Sequence, residues 1–157
     1  MNYLRLLHIL RKQRQNLLLA VGVTLMLTSC GIDRNIKKGE KYLSLGEYYD
    51  AATQFKTAYQ RTSPKDRRQR GELSLKMAEC YERISSSQRA IAAYRNAIRY
   101  KLDNGETHKR LADNLMKEGS YAEAVKEYRI ALDSMPNNQL IAQELQAASI
   151  AASVKER

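Results

Sequence analysis

Hydrophobic residues follow two patterns along the chain. The first is an unbroken apolar run, Leu17-Leu18-Leu19-Ala20-Val21-Gly22-Val23-Thr24-Leu25-Met26-Leu27, preceded by a basic stretch that ends at Arg14 and contains no acid. The second begins after residue 50, where small and aromatic residues return at spacings of three and four: Ala51-x3-Phe55-x2-Ala58, Ala90-x3-Tyr94-x2-Ala97 and Ala124-x3-Tyr128-x2-Ala131. Such spacing places each set on one face of a helix. The small members let paired helices approach closely, and the aromatic member fills the space between neighbouring units. A ligand-binding stripe would show the same aromatic row, but at helical spacing core packing is the expectation.

The apolar run is too short to span a bilayer. As a helix its 11 residues rise about 16 Å, roughly half of a hydrocarbon core. A basic start, a short apolar stretch and small residues at its end are the parts of an export signal, so residues 1–29 are predicted to be cleaved. Leu27-Thr28-Ser29-Cys30 at the end of the run resembles the lipobox of bacterial lipoproteins. That resemblance implies a diacylglycerol on the Cys30 thiol and an acyl chain on its amino group, with no other cofactor. The alternative is an ordinary secretory signal that happens to end near a cysteine. Gly31 follows Cys30 where an Asp would favour the inner membrane, and Asp33 is the only close acid. By the same resemblance the expected location is the outer membrane, lipid-anchored and facing the periplasm.

Register within the second pattern is equally informative. The second and third sets lie 34 residues apart, the period of the tetratricopeptide repeat, and the first and second lie 39 apart. Gly39 with Tyr42, Ala78 with Tyr81, and Leu111-Ala112 with Leu115 extend the match backward; Gly46 and Gly119 supply turns between helices, and Pro136 closes the third unit. Together these residues resemble the tetratricopeptide-repeat family. The departures are Asn35, Ser74 and His108 at the family's tryptophan, and Ser85-Ser86-Ser87 in place of the second turn glycine. The resemblance implies an all-α helical-hairpin solenoid of three repeats plus a C-terminal capping helix. The expected boundaries are an acylated N-terminus and short tether at 30–36, repeats at 32–65, 71–104 and 105–138, a basic inter-repeat insertion at 66–70, and the cap at 139–157. Leu140, Ile141, Leu145, Ala148 and Ala152 form the cap's expected apolar stripe, covering the last repeat's open face.

Charge and reactive groups narrow the function classes. Removing the signal takes four Lys and Arg with it, leaving 23 against 17 Asp and Glu, a surplus of six that does not by itself argue for nucleic acid. With Cys30 acylated, Cys80 has no disulfide partner and is expected to be a buried, inert thiol. No phosphate loop, nucleophile elbow or metal-spaced ligand cluster is present, so no catalytic or metal residue and no small-molecule substrate are expected. Arg61, Lys65, Arg67, Arg68 and Arg70 cluster at the first junction, either as a solvated helix end or against anionic lipid headgroups.

In tetratricopeptide proteins the first helix of each repeat lines a groove that takes partner segments. Carried onto this chain, the groove comprises Asp33, Ile36, Glu40 and Leu43, then Glu72, Leu75, Glu79 and Glu82, then Glu106, Lys109, Asp113 and Met116. Seven of these twelve are acidic, which predicts a preference for basic or basic-amphipathic segments; the alternative is a face that simply balances charge. The expected partner is another cell-envelope protein in a membrane-bound complex. Gly39-Glu40-Lys41-Tyr42, Gly46-Glu47-Tyr48-Tyr49-Asp50-Ala51-Ala52 and Lys76-Met77-Ala78-Glu79-Cys80-Tyr81 resemble the repeat segments that begin certain Bacteroidota lipoproteins, including those of the type IX secretion and gliding apparatus. In those relatives a propeller-like domain and a peptidoglycan-binding domain follow; neither lies within these 157 residues, so the chain is expected to be either a shorter relative or the front of a longer protein. An escort for secretin or outer-membrane-protein clients, and a structural lipoprotein without a specific partner, are the alternatives.

Overall fold

The computed structural model describes residues 31–155. The export signal and Cys30 lie outside the described residues, as do the last two residues of the expected cap. Among the described residues there are seven helices: α1 (31–44), α2 (Tyr48–Arg61), α3 (Arg67–Arg83), α4 (Ser87–Arg99), α5 (Gly105–Lys117), α6 (Tyr121–Ser134) and α7 (Gln139–Lys155). From α3 onward, each helix packs on the one before it, building an all-α stack of hairpins closed by α7.

The turns are made alike despite different residues. Gly46 and Gly119 have φ of 76° and 70°, the left-handed backbone that ends a helix. Ser85 adopts the same conformation in the second hairpin, with φ of 54°. Each turn is then closed by a backbone N–H reaching five residues back: Glu47 to Tyr42, Ser86 to Tyr81, and Ser120 to Leu115. The second repeat therefore keeps the turn without its glycine, at a strain cost of about 1 kcal/mol.

The core consists of the residues that recur at three and four. Ala51, Ala58, Ala90, Ala97, Ala124 and Ala131 are wholly buried, and Phe55, Tyr94 and Tyr128 fill the space between hairpins. Gly39 lets α1 approach α2, because a Cβ there would stand 2.6 Å from the Phe55 ring. Gly39→Ala is expected to cost about 1–3 kcal/mol in a denaturant titration. A wild-type midpoint would contradict this contact.

Two boundaries and one helix face differ from expectation. Residues 31–36 are helical, so the expected tether is the first turns of α1. The expected insertion at 66–70 is the N-cap and first turn of α3: Asp66 accepts a hydrogen bond from the Gln69 N–H, and α3 has 17 residues where α5 has 13. Four of the five extra residues thus lengthen α3 and the fifth lengthens α2, which has 14 residues where α4 has 13, and none creates a loop. The third difference concerns α7. It packs inward through Ile141, Leu145 and Ala148, but Leu140 faces outward with Ile150 and Val154, among the exposed Gln139, Gln143, Gln146, Ser149 and Ser153.

Cys80 is a free, fully buried thiol whose pKa burial pushes up to about 11. Burial also raises the Tyr94 and Tyr128 phenols. These groups resist ionising in the fold, so their contribution is intact below the unfolded values of about 8.5 for Cys and 10 for Tyr and is lost above them. Melting temperature is expected to fall between pH 8 and 10.5. Iodoacetamide is expected to label Cys80 at pH 8 only after unfolding; rapid labelling of the native protein would contradict its burial.

Candidate functional site

The first helices of the hairpins, α1, α3 and α5, carry the twelve residues expected to line the groove, and their charges are arranged as a ladder. Lys76 of α3 reaches back to Glu40 of α1 at 3.2 Å. Arg110 of α5 reaches Glu82 of α3 at 3.0 Å, and Lys109 of α5 reaches forward to Glu144 of α7 at 3.2 Å. Each pair crosses one seam of the stack.

Two rungs extend into the core. The Tyr94 hydroxyl donates to Glu82 at 2.8 Å, and Asn114 donates to the same carboxylate at 2.6 Å. Tyr128 donates to Asp113 at 2.7 Å, while Lys109 donates to Asp113 at 2.9 Å. Burial opposes the Lys109 charge, but its bonds to Asp113 and Glu144 outweigh burial and its pKa is raised. Repeat one has Phe55 at the equivalent position and no hydroxyl; there the Lys76 ammonium sits over the ring, 5.5 Å from its centroid.

The expected groove therefore divides. Glu82, Lys109 and Asp113 are engaged within the fold, Glu40 pairs with Lys76, and Glu72 and Glu106 pair with Arg68 and Arg110 one turn away. The expected acidic surplus is largely neutralised by cations one turn or one repeat distant. Asp33 and Glu79 are exposed and form no ion pair among the described residues. Ile36, Leu43, Leu75 and Met116 are half-buried, each packing against the core while keeping part of its surface open.

Solved structures superpose on this arrangement. The first repeat domain of RPAP3 bound to an HSP90 peptide has a TM-score of 0.64 at 22% identity, over 80% of this chain and 95% of that one. MamA matches with a TM-score of 0.68 at 18% identity, over 84% of this chain and 69% of that one. The Yersinia enterocolitica type III secretion chaperone SycD, in complex with a peptide of the translocator YopD, has a TM-score of 0.62 at 17% identity, over 75% of this chain and 92% of that one. The fold is a tetratricopeptide-repeat solenoid. No protein-family model matches the sequence, and no curated protein is significantly similar to it.

Other polar residues have structural positions in the tetratricopeptide stack that their spacing did not announce. His108, at the family's tryptophan position, is buried with Nδ1 2.7 Å from Glu127 and Nε2 3.1 Å from Asp103, tying α5 to α6 and to the loop before α5. Arg70, from the basic cluster, stacks over Tyr59 at 4.6 Å and donates to the Thr62 carbonyl and the Tyr100 hydroxyl. Arg67, Lys65 and Arg68 are exposed; Arg67 donates to the Arg99 carbonyl and Arg68 pairs with Glu72.

Proposed function

We propose that this protein is a lipid-anchored, periplasm-facing lipoprotein of the outer membrane whose tetratricopeptide groove binds a partner protein, as a scaffold within an envelope machine. The binding half rests on one observation. Among the groove acids of repeats two and three, Glu79 alone has no ion pair among the described residues, and Leu75 stands one turn before it on α3 with part of its surface open. A segment carrying a basic and an apolar side chain one turn apart would match that pair. Two of the structural neighbours were captured with peptides, which supports a protein partner.

The anchoring half rests on the lipobox-like Leu27-Thr28-Ser29-Cys30. Because α1 is already helical at residue 31, an anchor at Cys30 would hold the groove beside the membrane surface and favour a membrane-bound partner. The likeness to Bacteroidota repeat lipoproteins makes the type IX secretion and gliding apparatus the first machine to test. Palmitate labelling is expected on the wild-type protein and absent from Cys30→Ser; labelling that persists would refute the anchor. A mild-detergent pull-down is expected to retain one stoichiometric envelope partner. Recovery only of unfolded barrel or secretin clients would favour an escort instead.

A further inference from the structure

The second helices of the first two hairpins do not close against each other. Between α2 and α4 lies an open groove of about 560 Å³, floored by Met77 and Tyr81 of α3 and walled by Tyr49, Lys56 and Tyr59 of α2 and Arg89 of α4. That volume falls within the roughly 300–1,000 Å³ of ligand clefts. The gap between α4 and α6 is different, because an Arg95–Glu123 ion pair bridges it.

Chemistry in the groove is one-sided. No acid lines it, and α2 with α4 carries five Lys and Arg against the single Asp50. Lys56 and Arg89 are exposed and form no ion pair among the described residues. Arg89 lies 5.9 Å from the Tyr81 ring centroid, so its guanidinium is held at the groove wall. The Tyr59 wall is braced by Arg70 stacked on its ring and by a 3.1 Å hydrogen bond between the Tyr59 and Tyr100 hydroxyls. Met77 offers an adaptable apolar floor.

We propose that this groove is a second docking surface, for an extended acidic segment of a partner protein. Carboxylates of that segment pair with Lys56 and Arg89, and an apolar or aromatic side chain between them rests on Met77 and Tyr81. The surface is separate from the face formed by α1, α3 and α5, so the protein can hold two segments of opposite charge preference at once. The proposal does not depend on the groove carrying Glu79.

The test uses the protein in neutral detergent and two fluorescent hexapeptides capped at both ends, Glu-Leu-Glu-Phe-Glu-Glu and its counterpart with Lys for every Glu. The acidic peptide is expected to bind about tenfold more tightly than the basic one, with a preference that weakens in salt. Lys56→Glu combined with Arg89→Glu should remove or reverse that preference; both side chains are exposed, and an unchanged melting curve confirms the fold. Glu79→Lys, on the other face, should leave acidic-peptide binding unchanged. Equal binding of the two peptides, a preference that survives the double reversal, or displacement of the peptide by phosphatidylglycerol vesicles in place of a second protein segment would each overturn the proposal.

Discussion

Glu82→Ala is expected to lower stability by about 3 kcal/mol and the melting temperature by about 10 °C. The Glu82 carboxylate accepts hydrogen bonds from Tyr94, Asn114 and Arg110, which belong to two different helices besides its own. Tyr94 and Asn114 are each 1% exposed, so the Tyr94 hydroxyl is left buried without a partner when the carboxylate is removed. Arg110 keeps Glu106, and Asn114 keeps the Arg110 carbonyl, which limits the damage. Glu82→Gln retains an acceptor and should fall between wild type and Ala. Glu79→Ala, three residues earlier and exposed, should stay within about 0.5 kcal/mol of wild type. Melting followed by circular dichroism separates these cases, and a Glu82→Ala curve that overlays wild type would mean the ladder does not join the repeats.

Asp113→Lys should be at least as damaging, at about 4 kcal/mol. It removes the acceptor of the buried Tyr128 hydroxyl and sets a second ammonium beside Lys109, whose side chain is only 16% exposed. Lys109 then keeps only Glu144 to oppose two positive charges. Denaturant titration should show an earlier midpoint, and a midpoint equal to wild type would show that Tyr128 and Lys109 find other partners. A binding assay that used Asp113→Lys to probe the groove would therefore mix lost stability with lost affinity. Glu79→Lys is the variant that changes the groove's charge without touching the stack.

These two residues also mark where sequence reasoning stopped. Burial of the alanine and aromatic sets was legible because a spacing of three and four admits one helical face, and the 34-residue register fixed how the hairpins repeat. Glu82 and Asp113 look like any surface acid in that pattern, since their bonding depends on partners from other helices. A signal was present nonetheless: Glu40 with Lys76, Glu82 with Arg110, and Lys109 with Glu144 are opposite charges about one repeat apart along the series α1, α3, α5 and α7. The 39-residue interval suggests an insertion, although an Asp shortly after Pro64 is an ordinary N-cap and foretells a longer α3. Leu140 falls outside the inward stripe of α7: apolar residues occupy both of that helix's faces, and periodicity does not choose between them.

The open groove between α2 and α4 was not legible at all. Its lining comes from three helices, and no ion pair among the described residues bridges it, whereas Arg95–Glu123 bridges the next gap along the stack.

Photo-cross-linking in intact cells tests the central claim most directly. A photoreactive residue replaces Glu79, and the Cys30→Ser change is introduced into the same chain for comparison. One dominant adduct with an envelope protein is expected when Cys30 is present, and its loss from folded Cys30→Ser protein. An equal adduct in both, or no adduct at position 79 from a protein that still fractionates with the membrane, would contradict an anchored groove as the binding site.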